Sequence, residues 1–125
     1  MDNSTIRYYT VIIGISSLFL VFGLWELISP DYWIGYVPET FGFDVNLLVR
    51  LHGILLTVIG ICILTGYFVK AASIAGTLVI GHIVVTLIIS SGFNDLVVRD
   101  ISLMLLTLSI YFEDHKNLAL LLKRN

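Results

Sequence analysis

The stretch that decides the fold is Phe93-Asn94-Asp95-Leu96-Val97-Val98-Arg99-Asp100, which places three ionisable groups directly before the uncharged run Ile101–Phe112. A membrane-spanning helix needs ~20 residues, with ~17 as a lower limit. Because the uncharged run has only 12 residues, a spanning helix must begin at about Leu96. Arg99 and Asp100 then lie inside the span, where ionisable groups are functional-site candidates that need partners.

The composition is that of a membrane protein. Of the 125 residues, 58% are hydrophobic and 13% are charged, whereas soluble domains have ~25% charged residues. Mean hydropathy is +0.98. Apolar segments joined by short links nearly fill the chain, which predicts one integral membrane domain over residues 1–125 without a soluble catalytic unit. The net charge of −2 excludes a nucleic-acid partner, which would require a basic face.

The apolar segments predict an all-α fold, an antiparallel bundle of four transmembrane helices. Pro30 ends the first helix, because the residue before a proline avoids the helical region. Asn94 is a suitable N-cap for the last helix. The expected helices span about residues 7–28, 46–68, 71–90 and 95–112, and a tail over residues 116–125 is expected to lie along the membrane surface.

Residues 31–49 form the one long connection, and it is rich in aromatic residues (Tyr32, Trp33, Tyr36, Phe41 and Phe43). Tyrosine and tryptophan concentrate at the headgroup level because the ring is partly apolar and partly polar. This segment is therefore predicted to be an aromatic interfacial loop between helices 1 and 2, and the alternative is a lid over a pocket.

The distribution of basic residues predicts the orientation. Short cytoplasmic loops carry an excess of lysine and arginine. Five of the seven basic residues fall on one side of the predicted bundle: Arg7, Lys70, Lys116, Lys123 and Arg124. We expect a multi-pass protein of a cell membrane with both termini in the cytoplasm and the aromatic loop outside.

This topology brings distant charges to one level. Glu26 ends the first helix, Arg50 begins the second and Asp95 begins the fourth, so all of them are expected near the outer surface. Small and hydroxylic residues let membrane helices approach closely, and we expect the faces that carry them to turn inward. These faces are Ser16, Phe19, Gly23 and Glu26; Arg50, Gly53, Thr57 and Gly60; Ala72, Ala75, Val79, His82, Thr86 and Ser90; and Asp100, Met104, Thr107 and Tyr111.

The expected ion pairs are Arg99 with Asp95, which are four residues apart in the favourable order, and Arg50 with Asp100 or Glu26. The candidate ligand-binding or partner-binding cluster comprises Glu26, Arg50, Asp95, Arg99, Asp100, His82 and Trp25. Three interpretations stay open. The cluster locks the helices in register, binds a ligand such as a quinone, or contacts a partner subunit. A buried ion network alone is weak evidence for stability.

The histidines give a weaker signal. His82 lies on the predicted inward face and is either a hydrogen-bonded core residue or a proton relay or quinone hydrogen-bond donor, since imidazole exchanges protons near physiological pH. His52 is expected to point away from Arg50 and ranks lower. Three scattered histidines and the single Cys62 predict no metal site and no disulfide or thiol-exchange motif.

Two motifs resemble a known family. Phe22-Gly23-Leu24-Trp25-Glu26-Leu27-Ile28-Ser29-Pro30, followed by Tyr32-Trp33-Ile34-Gly35-Tyr36-Val37-Pro38, resembles the first-helix and loop signature of the DoxX family. Phe93-Asn94-Asp95-Leu96-Val97-Val98-Arg99-Asp100-Ile101 resembles the start of helix 4 in that family. The resemblance covers roughly residues 15–112. Where members commonly carry a lysine, this chain has Glu26, so no role of that lysine transfers.

The resemblance implies a four-helix membrane protein, often without an assigned reaction. Some relatives are subunits of a thiosulfate:quinone oxidoreductase, and others are linked to membrane redox complexes or serve as assembly factors. We therefore expect an accessory or quinone-facing subunit of a membrane oxidoreductase complex, in contact with lipid and with protein subunits. The chain has no flavin, haem or thiol motif, so electrons would come from a partner and catalysis by the chain alone is not expected.

Two alternative functions remain open. The first is a non-catalytic scaffold or assembly subunit of a larger membrane complex, in which the charged cluster binds another subunit. The second, weaker alternative is a small transporter that uses Glu26 as its membrane-embedded carboxylate. Glu26 lies at the end of a helix, however, whereas coupled substrate and proton sites lie near the bilayer midplane.

Overall fold

The computed structural model describes residues 3–37, 42 and 44–113. These residues form α1 (Asn3–Ile28), α2 (Val45–Thr65), α3 (Val69–Ser91) and α4 (Asp95–Phe112), with two 3-10 turns, Pro30–Tyr32 and Ile34–Tyr36, between α1 and α2. No strand occurs in the part of the chain that the structure describes. The prediction of an all-α fold is confirmed, and the predicted surface tail lies outside the described residues.

The helix ends follow from capping residues. Asp44 caps α2 by accepting a hydrogen bond from the Asn46 backbone N–H at 3.0 Å, and Asn94 caps α4 by accepting one from Val97 N–H at 3.1 Å. Gly66, at φ 82°, closes α2 in the left-handed conformation that glycine adopts at little cost. The second helix therefore ends at Thr65, three residues before the predicted end at 68.

Three helices in the described residues, α1, α2 and α3, are long and apolar enough to cross a membrane, which indicates a membrane protein. α4 is not among them. It has 18 residues and carries Asp95, Arg99 and Asp100 in its first two turns, and its length is ~27 Å at 1.5 Å per residue. The three charged residues near its start thus distinguish α4 from the three more apolar helices.

α1 and α2 pack closely along much of their length, and so do α3 and α4, whereas α1 and α4 meet at few points. Glycines make the α1–α2 contact possible. A Cβ atom on Gly23 would lie 2.8 Å from the Gly53 carbonyl oxygen and 2.7 Å from the Thr57 backbone nitrogen. Only a residue without a side chain fits there, as expected for membrane helices that associate through small residues.

Phe19 joins the two helix pairs at the centre of the bundle. It is 1% exposed, and its ring reaches from α1 to Gly76 on α3, where a Cβ atom would lie 2.8 Å from Phe19 Cζ. A Cβ atom on Gly76 would also lie 3.1 Å from the methyl group of Thr107 on α4. The buried Ser16 and Thr107 hydroxyls donate to carbonyl oxygens of their own helices, so they add no unsatisfied group to the core.

The predicted inward face of α3 is wrong. Ala72 is buried as expected, but His82 and Ser90 are exposed. The buried residues of α3 are Val69, Ala72, Ser73, Gly76, Ile80, Val84 and Leu87. Because α3 is apolar around its whole circumference, the small and hydroxylic residues do not define a unique side. The close approach at Gly76 sets the rotation of the helix instead.

Candidate functional site

A cleft of about 80 Å³ lies where α1 ends and α4 begins. Its polar wall contains Glu26, Trp33, Arg99 and Asp100, and its apolar wall includes Phe19, Phe22, Leu18 and Leu103. We call it the Glu26 cleft. The antiparallel order of the helices brings the last turn of α1 beside the first turns of α4, so charges far apart in sequence share one site.

Glu26 is held by an imidazole of α2. The glutamate is 6% exposed, and its Oε2 lies 2.7 Å from His52 Nδ1. Gly53 permits this approach, because a Cβ atom there would lie 2.9 Å from Glu26 Cβ. With a proton on Nδ1, the imidazole donates to the carboxylate and satisfies a buried acceptor, which would otherwise be costly.

Asp100 has its own partner in the preceding residue. The aspartate is 6% exposed, and Arg99 Nε donates to its Oδ1 at 2.8 Å. The Arg99 side chain remains 51% exposed. Its terminal N–H groups make no hydrogen bond to another described residue, so they stay available at the edge of the cleft.

The indole N–H of Trp33 is a hydrogen-bond donor that has no acceptor among the described residues. Its Nε1 is buried and has no hydrogen-bond partner among the described residues. The indole ring is fixed edge-on against Phe22, with ring centroids 5.5 Å apart, and against Trp25 at 5.5 Å. Buried polar groups are normally hydrogen-bonded to protein or ordered water, so this N–H indicates where an acceptor would bind.

The structure brings together three of the predicted site residues, Glu26, Arg99 and Asp100, in one cleft. Trp25 borders the site: it is 41% exposed, stacks on Tyr32 at 4.9 Å between centroids and contacts the Trp33 ring edge-on. The predicted roles of all these residues in ligand or partner binding stay predictions.

Arg50, Asp95 and His82 do not join the cleft. All three are exposed, and none forms an ion pair with another described residue. The predicted pairs of Arg99 with Asp95 and of Arg50 with Glu26 or Asp100 are wrong. Asp100 accepts a hydrogen bond from Nε of the adjacent Arg99, and Glu26 is paired with His52 rather than with Arg50.

The sequence interpretation placed two contributors elsewhere. The sequence ranks His52 below His82, and it predicts Trp33 in the interfacial loop near the charged cluster but not among the residues of the candidate site. A signal for His52 was present in its neighbour Gly53, which was expected to face inward and therefore places His52 at the edge of the same interface. For Trp33 the signal was weaker, because only the 3-10 turns after Pro30 fold the loop back onto Phe22.

The cleft combines the carboxylate of the Glu26–His52 pair with two kinds of N–H donor, those of Trp33 and Arg99. It can exchange a proton through Glu26 and His52 and can donate hydrogen bonds to an oxygen acceptor. The described residues contain no group of three or more His, Cys, Asp or Glu side chains that could hold a metal ion. In comparisons with known proteins, no family model, no curated protein and no solved structure matches the chain.

Proposed function

We propose that this membrane protein is of the DoxX type and serves as an accessory, quinone-facing subunit of a membrane oxidoreductase complex. The observation that supports this most is Trp33, which lines the Glu26 cleft together with Arg99 and whose indole N–H has no partner among the described residues. A quinone carbonyl oxygen accepts hydrogen bonds and has no proton to donate, so it requires such donors.

The size of the cleft limits how a quinone would bind. A cavity of ~150 Å³ holds benzene, and the Glu26 cleft has about 80 Å³. Only the carbonyl edge of the ring therefore enters. The ring itself rests at the mouth of the cleft against Phe22 and Trp33, and its apolar tail remains among lipids.

The Glu26–His52 pair gives the site a route for protons. Reduction of a quinone to a quinol takes up two electrons and two protons. The electrons come from a partner subunit, because the sequence carries no flavin, haem or thiol motif. His52 is only partly buried and is 2.7 Å from Glu26, so the pair can pass a proton from the surface into the cleft.

The proposal includes α4 as a fourth span, with both termini on the cytoplasmic side. Its ~27 Å approach the ~30 Å hydrocarbon thickness of a bilayer. Asp100 is buried within the protein rather than exposed to lipid, which lowers the cost of a charge in the span. The aromatic cluster of Trp25, Tyr32 and Trp33 then lies at the outer headgroup level.

Quinone content after mild purification tests the proposal. We expect near-stoichiometric quinone in the extracted protein. Trp33→Phe keeps an aromatic side chain, with a smaller ring, and removes the N–H, so it should lower quinone occupancy roughly two- to tenfold, the range of one hydrogen bond. Arg50→Ala is the matched control, because Arg50 is exposed and outside the cleft. Absence of quinone, or equal loss in both variants, contradicts the proposal.

A non-catalytic scaffold or assembly subunit is a second candidate, favoured by a specific observation. Both buried carboxylates already have partners within the chain, so the cleft needs no ligand to be stable. A subunit that co-purifies at fixed stoichiometry while no quinone is bound would support the scaffold. Proton-dependent solute flux in liposomes would instead support a transporter.

A further inference from the structure

A second cleft lies at the opposite end of the bundle, between the start of α1 and the end of α4. It has a volume of about 250 Å³, with Val11, Ile12 and Ile110 at its apolar base and Arg7, Tyr8 and Glu113 at its rim. We call it the Arg7 cleft. It is larger than the ~150 Å³ cavity that holds benzene, so it has room for a ligand group rather than a few waters.

The rim carries two opposite charges that do not neutralise each other. Arg7 and Glu113 are both exposed, and neither forms an ion pair within the described part of the chain. Arg7 lies near the amino end of α1 and Glu113 directly follows α4. The amino end of a helix favours an anion and the carboxyl end favours a cation. The cleft therefore presents a positive side and a negative side to one ligand.

We propose that the Arg7 cleft binds phosphatidylethanolamine, a phospholipid whose headgroup carries both a phosphate and a primary ammonium. Arg7 and the Tyr8 hydroxyl hold the phosphate, and the Glu113 carboxylate accepts hydrogen bonds from the ammonium. One acyl chain follows the apolar residues at the base of the cleft. This inference rests on the membrane location of α1 and is independent of the proposed quinone site.

The position of the cleft supports a lipid as its occupant. α1 is long and apolar enough to span a membrane, so its end lies where headgroups meet water. α1 and α4 meet at few points, so little backbone packing closes the groove between them. A lipid can enter laterally with its headgroup at the rim and its chain against Val11, which is only partly buried.

Charge complementarity predicts which phospholipids bind poorly. Phosphatidylglycerol has the phosphate but no cation, so Glu113 repels it. Phosphatidylcholine has the cation, but its methylated nitrogen has no N–H to donate to the carboxylate. Selectivity for the ethanolamine headgroup is thus assigned to Glu113, and affinity for phospholipids in general to Arg7.

Retention of lipid by the full chain, measured by native mass spectrometry after exchange into micelles with each lipid, tests this assignment. We expect phosphatidylethanolamine to be retained over phosphatidylglycerol and phosphatidylcholine. Arg7→Gln should lower its retention roughly two- to fivefold, the effect of one exposed ion pair. Glu113→Gln should remove the preference over phosphatidylglycerol.

Arg50→Gln and Asp95→Asn are the matched controls, since both residues are exposed and belong to the other end of the bundle. All substituted positions are exposed, and circular dichroism verifies that the helices are intact. Equal retention of the three lipids by the unaltered chain would overturn the assignment. So would a preference for phosphatidylethanolamine that survives Glu113→Gln, or a control variant that loses lipid to the same extent.

Discussion

α1 packs against α2 and against α4 in opposite ways. Towards α2 it presents Gly23 to Gly53, and the backbones approach so closely that no side chain fits at Gly23. Towards α4 it leaves a groove with a cleft at each end, and both clefts carry charged side chains. Membrane helices associate through close packing rather than through a hydrophobic driving force. We therefore infer that the close α1–α2 interface stabilises the fold and that the α1–α4 groove binds ligands.

The largest effect is expected at the closed interface. In Gly23→Leu, the new side chain meets the backbone of Gly53 and Thr57 at less than 3 Å. Overpacking of this kind costs ~1–3 kcal/mol and occasionally more. The free energy of unfolding, measured by titrating mixed micelles with a denaturing detergent, should fall accordingly. The matched control is Gly14→Leu in the same helix, where a Cβ atom meets nothing within 4 Å. Equal destabilisation by the two variants would contradict the close contact.

An effect at most as large is expected in the Glu26 cleft. His52→Ala leaves the buried Glu26 carboxylate without its partner, and an orphaned buried acceptor costs ~1–3 kcal/mol. The same detergent titration measures the loss. Replacing both members of a buried pair with apolar groups is close to neutral, so the double variant His52→Ala with Glu26→Leu should recover most of the stability. A double variant as unstable as the single one would show that the 2.7 Å contact is not what stabilises this end.

The sequence was sufficient to predict that Glu26 and Asp100 share one end of the bundle. That inference needs only helices in antiparallel order, and hydropathy and turn residues define those. It was not sufficient to predict their partners. Successive residues of an α-helix are about 100° apart around its axis, so the rotation of α2 decides whether His52 or Arg50 faces Glu26. The contact between Gly23 and Gly53 determines that rotation. In a helix that is apolar on all sides, such as α3, the sequence pattern does not predict which side faces the core.

The smallest effect is expected at the predicted site residues that lie outside the cleft. Arg50→Ala and His82→Ala each change an exposed side chain without an ion pair to a described residue. Exposed substitutions of this kind usually change stability by less than ~0.5 kcal/mol. Unfolding free energy and quinone content should both match those of the unaltered protein. A loss of unfolding free energy as large as that of His52→Ala would contradict this account and show that these residues contribute to the site.

Cross-linking across the open groove tests the central claim that α1 and α4 enclose one cleft. Leu18 and Leu103 line that cleft from the two helices. In a Cys62→Ala background, which removes the single native thiol, the pair Leu18→Cys and Leu103→Cys should be joined by a short bifunctional thiol reagent. The control pair, Val21→Cys and Leu105→Cys, replaces two exposed side chains and should remain unjoined. Efficient cross-linking of the first pair alone is the predicted result, and no cross-linking there, or equal cross-linking of both pairs, would contradict the account.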